Sequence, residues 1–452
     1  MISELFRRIE RVVHRVKPGL PLGFMTGDRF YEGYDFEGWA KVLAGSGNAP
    51  VRWRPGGGFY SDETPLQLLE KAHAMGRQVA ALPPEVTVIH SELENFPYQR
   101  LRKSERITVV EAGAHMAAGT TGTAFNVLNM QPDPLDEYLP LLRSIAKSRP
   151  FYQRVQTALG RSPAMGVWPA WNRDLWAAAN PDGDWFRGVR LPLNAPYALG
   201  EIGIPICYDQ QHATVAALTG TAPLAFSVDE LRKVFRGGVL MDVDAWRSLE
   251  RLGLAEWTGV KSAEGIDQDA SEVLAPHALN GRFAGWSRDC RQSFYFERVY
   301  RLGLNAGAET LARMIDYGER DLGPAMTAFE NTLGGRVVVM GYYPWSQFHS
   351  LPKTTQMKNV CEWLSRGRMP ARVETFAKVA VWRHERAVVV LSLSLDPVEK
   401  LSLLLRRSGT RFLWAEILGP EKEITGTPEG GSVRVTLDSL ASWSLHLLVE
   451  KP

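Results

Sequence analysis

Glu92 and Glu94 close the stretch "TVIHSELENFPY" (residues 87–98), two carboxylates two positions apart at the end of an apolar run. A strand has no use for acids at its tip, and an ordinary turn there favours Gly, Asn or Asp. A period of two sends Val86, Val88, His90, Glu92 and Glu94 to one side of such a strand. Carboxylates in pairs are the groups that cleave glycosidic C–O bonds, one as acid/base and one as nucleophile or base. Two acids on one strand cannot be that whole pair, because the two carboxyls must face each other across the bond, about 5 Å apart for retention. The ordinary alternative is a surface pair balanced by Arg100 or Arg102.

What positions these acids is a run of alternating elements. An amphipathic helix (2–17) leads to "LPLGFMTG" and the helix "DFEGWAKVLAG"; "APVRWRPGGG" precedes "TPLQLLEKAHAMGRQVAAL". "VTVIHSE" pairs with "KSERITVVEAGAHMAAG", and "GTAFNVL" with "LDEYLPLLRSIAKSRPFYQRVQTAL". Strands alternating with helices of ten or more residues argue for parallel βα units. In such folds the reactive groups gather at the carboxyl ends of strands. The first strand ends near Thr26 and Asp28, the second at Arg52, Trp53 and Arg54, and the fourth near Asn126 and Asn129. Carboxylates, guanidiniums, amides and an indole at one rim suit a neutral polyol substrate.

A second segment, about 161–350, reads as a doubly wound, flavodoxin-like α/β domain. Its expected buried strands are "AMGVWPAW", "GIPICYD", "GGVLMD" and "GGRVVVMGYYPW"; "SVDELRKVF" is a helix opened by Ser227 with Glu230 as its capping-box partner. The helix-poor stretch 261–300 reads as an insertion. From 351 a linking helix leads to a C-terminal antiparallel β-sandwich, with one wet face per sheet expected from its alternating pattern.

Composition bounds the rest. With 452 residues and a net charge of +2 over 102 charged side chains, nothing points to nucleic acid or an acidic membrane. Fourteen Trp is a high number, and Trp suits sugar faces, although the core is the usual place for any one of them. Three distant cysteines make neither a disulfide framework nor a thiolate metal cluster. Cys207 with His212 lacks the sharp turn of a nucleophilic cysteine site, and Asp209 with His212 alone makes a weak metal pair. Neither a signal peptide nor a membrane span stands out, so the expected location is cytoplasmic, and no cofactor is expected.

The succession of parts resembles glycoside hydrolase family 42, β-galactosidases with a (β/α)8 barrel, a flavodoxin-like trimerisation domain and a small C-terminal β domain. "VTVIHSELENFPY" resembles the seventh barrel strand, "EAGAHMAAGTTGTAFNVL" the following helix and eighth strand, and "GGRVVVMGYYPW" the last strand of the trimerisation domain. The resemblance implies a retaining hydrolase of β-linked sugars with Glu92 as nucleophile and Glu94 orienting; a slip of two exchanges them. Trp53, Arg52, Arg54, Tyr98 and Asn126 become substrate-binding residues, and a homotrimer the expected assembly. Residues 1–160 match only strands five to eight, and the family's acid/base glutamate, in an Asn-Glu pair on strand four, has no counterpart there. The other half barrel is then a separate polypeptide, lost, or replaced by self-association, and the chain alone is expected to be weak or inactive. The rival reading is a non-catalytic carbohydrate-binding or assembly protein that keeps the fold.

Overall fold

The protein, seen in a computed structural model, is described over residues 1–27, 35–128, 133–179 and 195–451. It divides into two compact units. One is Met1–Ala164 with Val379–Leu401 and Arg407–Pro452; the other is Met165–Lys378 with Ser402–Arg406.

In the first unit the four expected βα units form. Helix α1 (Ile2–Val16) precedes β1 (Leu22–Thr26), and α2 (Phe36–Ala44) precedes β2 (Val51–Pro55). Then come α3 (Gln67–Ala80), β3 (Val86–Glu94), α4 (Glu105–Ala117), β4 (Gly122–Asn126) and α5 (Leu139–Leu159). The strands make one parallel sheet in the order β1-β2-β3-β4. Local chemistry sets the helix starts. The Asp35 carboxylate accepts from the Gly38 N–H at 3.0 Å, and the Ser104 hydroxyl accepts from the Ile107 N–H at 3.2 Å.

The sheet has two different faces. Val51, Trp53 and Pro55 of β2, with Ile89, Ser91 and Leu93 of β3, are buried; Arg52 and Arg54 are exposed, as is His90. The expected parity holds from Val88 onward but not at Val86. A register irregularity skips Thr87, so that Val51 pairs with Val86 and Arg52 with Val88, and Val86 joins the buried side. Helix α1 buries none of its residues: Ile2, Leu5, Ile9, Val12 and Val16, spaced 3-4-3-4, stay exposed.

The C-terminal part of this unit carries a five-stranded antiparallel sheet in the order Val379–Arg383, Ala387–Ser392, Leu445–Glu450, Arg411–Glu416, Glu421–Thr425. One wet face per sheet was too simple an expectation. Every residue of Val379–Arg383 and Ala387–Ser392 is buried, as a nearly unbroken apolar run requires.

The second unit holds an eight-stranded mixed sheet. Gly166–Pro169, Ala213–Leu218, Gly238–Asp242 and Arg336–Met340 run parallel, the flavodoxin-like portion, and the remaining four strands extend it antiparallel. "GIPICYD" is not a strand. Its Ile206 makes a single bridge to Val167, because Pro205 has no N–H to extend a ladder. The strand that pairs with Gly166–Pro169 in the sheet is Ala213–Leu218. Four strands, Val260–Ile266, Ser271–Leu274, Ser287–Asp289 and Val299–Leu304, lie wholly or partly within the supposed insertion. Ser227 and Glu230 form the expected capping box. Among the described residues no helix is long and apolar enough to cross a membrane.

Candidate functional site on the open sheet face

Residues that share the unburied face of the parallel sheet meet at the carboxyl ends of β2, β3 and β4. Register places Glu92 beside Ala124 and Glu94 beside Asn126. The Arg54 guanidinium lies 3.2 Å from the Glu92 carboxylate, whose side chain is 13% exposed. The Asn126 amide donates to Glu94 Oε1 and to the Tyr98 hydroxyl oxygen, both at 3.2 Å. Tyr98 is itself held where its backbone carbonyl accepts from the Tyr138 hydroxyl at 3.0 Å. His90 lies alongside: a Cβ on Gly122 would meet its ring at 2.9 Å, so only glycine lets the imidazole lie over β4.

The alternative of a plain surface pair has lost its partners. Arg100 is paired with Glu105 at 2.5 Å, and Arg102 with Glu63 at 2.8 Å. A cavity of about 530 Å³ at the N-terminus of α4 is lined by those arginine and serine neighbours, Arg100, Ser104, Glu105 and Arg106 among them, and includes neither Glu92 nor Glu94.

Electrostatics act measurably on Glu92. Burial pushes the Glu92 carboxyl above its ordinary value; Arg54 and Lys71 pull it back, and the Glu94 charge raises it further. Partial burial, and then the Arg52 guanidinium, lower the His90 imidazole, so it stays neutral near pH 7.

Of the residues expected at the rim, Glu92, Glu94, Arg54, Tyr98 and Asn126 come together, and Arg52 stands on the same face one step back along β2. Trp53 does not join them. A strand alternates, so the residue between two open-face arginines must point the other way. Its indole is 2% exposed, packs against Phe24 and Phe36 at ring-centroid distances of 3.7 and 4.6 Å, and donates to the Thr26 hydroxyl at 3.2 Å. Trp53→Ala should therefore destabilise this unit by about 3–5 kcal/mol in a urea titration, as a core truncation does, rather than weaken ligand binding selectively. Asp28 and Asn129 lie outside the described residues.

Of the aromatic edge, Tyr98 was expected from the sequence, while Phe96 and Tyr60 were missed. Phe96 (53% exposed) and Tyr60 (42% exposed) stand 5.9 Å apart, and Phe96 is 5.7 Å from the Tyr98 ring. These three rings, not Trp53, offer flat apolar faces beside the acids. The signal was present in "ENFPYQ", whose aromatics directly follow the strand end. In the second unit Cys207 is buried and its thiol pushed far up, with its S–H directed at backbone carbonyls, which removes it as a nucleophile. Asp209 and His212 do bond, at 2.8 Å, but as the cap of a short turn. Among the described residues no group of three or more His, Cys, Asp or Glu could hold a metal.

A sheet of this order with acids at its carboxyl rim has relatives of known structure. The β-galactosidase from Bacillus circulans sp. alkalophilus superposes with a TM-score of 0.58 at 14% identity, over 99% of this chain and 66% of the other. Gan42B, a GH42 β-galactosidase, matches over 100% and 66% with a TM-score of 0.58 at 13% identity. The chain is glycoside hydrolase family 42-like in fold. The α-L-fucosidase isoenzyme 2 from Paenibacillus thiaminolyticus matches this family 42-like chain over 100%, and over 71% of its own length, with a TM-score of 0.65 at 14% identity. The chain thus spans about two thirds of the length of these neighbours. No protein-family model and no curated protein sequence matches it.

Proposed function

We propose that this family 42-like chain carries the nucleophile half of a retaining glycoside hydrolase acting on β-linked sugars, with Glu92 as the nucleophile. The observation that carries the reading is the Arg54–Glu92 contact on the open face, at the carboxyl end of a parallel strand. Glu92 points onto the face where a ring can be held, and its guanidinium partner keeps it ionised against burial. Glu94, fixed by Asn126 and Tyr98, orients a sugar hydroxyl. Phe96, Tyr60 and Tyr98 stack on the ring. β-Galactosides are the substrate class that two of the neighbours' names suggest.

Glu94 stands beside Glu92, not opposite it, so it cannot protonate the leaving group across the ring. In this reading the acid/base carboxyl comes from further βα units that complete the barrel, on a longer form of this chain or on a companion polypeptide, and the whole assembles as a trimer through the second unit. Without that acid the described residues should turn over aryl β-glycosides with good leaving groups but barely touch disaccharides.

The pH dependence gives the test. The reacting form is the carboxylate, and burial raises the Glu92 carboxyl above its ordinary value of 4.5. The glycosylation rate should therefore fall with acid at a higher pH than an unburied glutamate would give, and Arg54→Met should move that limb higher still. Stability runs the other way: a raised folded pKa favours the protonated acid, so this stabilisation is present at low pH and lost as pH rises through the folded value. Rates of dinitrophenol release from an activated aryl β-galactoside against pH decide the matter. A limb that ignores Arg54→Met, or rapid cleavage of lactose by the chain alone, contradicts the reading.

A further inference from the structure

Under the strand ends, on the covered side of the sheet, three buried ionisable side chains meet. Lys71 of α3 and Lys103, just ahead of α4, reach the Glu111 carboxylate of α4 from both sides, Nζ to Oε1 at 2.9 Å and Nζ to Oε2 at 2.8 Å. Their side chains are 2%, 0% and 0% exposed. Burial lowers the Lys103 amine from its ordinary value and the Glu111 carboxylate pulls it back up; with both amines protonated, two ammonium groups against one carboxylate leave an excess charge of +1. His115, equally buried at 3.9 Å from Glu111, does not alter that total, because burial and the two lysines hold its imidazole neutral.

Lys103 does more than neutralise. Its Nζ also donates to the backbone carbonyl of Phe59 at 2.6 Å and to that of Glu94 at 3.0 Å, and sits 4.5 Å from the Phe59 ring centroid. The second carbonyl belongs to the last residue of β3. A buried ion cluster gains little stability over apolar side chains of the same volume. Its placement, with Lys103 against the backbone carbonyl of one acid and Lys71 acting through its charge on the carboxylate of the other, has a consequence that apolar side chains could not reproduce.

We propose that the Lys71–Glu111–Lys103 cluster is a positioning base for the acidic pair, fixing the end of β3 through the Glu94 carbonyl and adding positive charge to the field that the Glu92 carboxylate feels. This rests on the reading of Glu92 as nucleophile, yet the cluster's effect on the carboxyl is measurable without any sugar. The charged groups acting on Glu92 are Arg54 from β2, Glu94 from its own strand and Lys71 from α3; Asn126, bonded to Glu94 from β4, is neutral, and Asp62 acts on Lys103. Lys71 works in the same direction as Arg54, against burial.

The experiment titrates Glu92 by 13C NMR of glutamate carboxyls in the full chain, with Glu92→Gln assigning the signal. Lys71→Met leaves Glu111 paired with Lys103 and brings the cluster to zero charge. The Glu92 titration should move to higher pH, and its rate of reaction with an activated 2-fluoro-β-glycoside at pH 5 should fall by roughly three- to tenfold and recover at pH 8. The double variant Lys71→Met/Glu111→Gln restores an excess of +1 and should bring the titration back toward wild type, which a purely structural role would not do. Where Lys71→Met does not fold, Lys71→Gln, which keeps a hydrogen bond to Glu111, is read in its place. An unmoved Glu92 titration in a folded variant overturns the proposal. A shifted titration together with sugar attached to some other residue overturns the nucleophile reading and leaves the proposal standing.

Discussion

Glu111→Ala should destabilise the first unit by about 3–5 kcal/mol, the cost of leaving buried charge uncompensated. The variant strands two ammonium groups with fully buried stems. Lys103 would keep two carbonyl acceptors, at Phe59 and Glu94, while Lys71 would lose the one carboxylate partner described for it. Neither can escape to water without opening the packing between α3 and α4, where Leu68, Ala72, Met75, Val110 and Ala114 are fully buried. A urea titration followed by tryptophan fluorescence reads the change, since Trp53 and Trp382 are both buried in this unit. A loss below about 1 kcal/mol would place the cluster in contact with solvent and remove the basis for treating it as fixed charge.

The second large effect is on chemistry. Glu92→Gly should lower the glycosylation rate on an activated aryl β-glycoside by roughly 10⁴- to 10⁶-fold, as removal of a nucleophile does elsewhere. Sodium azide should restore part of it, because a small anion can occupy the space vacated beside Arg54 and attack the same face of the sugar. The product would be the α-glycosyl azide, inverted with respect to the β-glycoside. Glu94→Gln should cost far less, roughly 10- to 10²-fold, because its carboxylate orients the site through Asn126 and Tyr98 without forming a bond. Should the two variants exchange behaviour, with azide rescuing the position-94 variant, the roles of the two acids are reversed.

Much of the architecture was legible because the signals were local. Helical periodicity, the caps at Asp35, Ser104 and Ser227, and short apolar runs define the βα units, and each of those runs in the first unit became a parallel strand. The acid pair was legible for the same reason: a period of two and a strand end suffice to put Glu92 and Glu94 on one face. Failures came where tertiary context decides. Trp53 was drawn into the site by its chemistry although its neighbours' parity excluded it. "GIPICYD" looked like a strand by its apolar content, while Pro205, without an N–H, limits it to a single bridge at Ile206 on the edge strand Gly166–Pro169. The Lys71–Glu111–Lys103 cluster joins residues up to 40 positions apart on two helices and a loop, and a lone lysine on an amphipathic helix gives no sign that it will be buried.

In the proposed reaction Glu92 faces the bound sugar and is the group that forms the covalent bond. Incubation of the protein with a 2-deoxy-2-fluoro-β-galactoside bearing a dinitrophenyl leaving group, then peptic digestion and mass spectrometry, reads that directly. The expected result is one fluorosugar per chain, attached at Glu92 within the β3 peptide and absent from Glu92→Gln. Attachment at any other residue, or no attachment while Glu92 titrates freely in solvent, would contradict it.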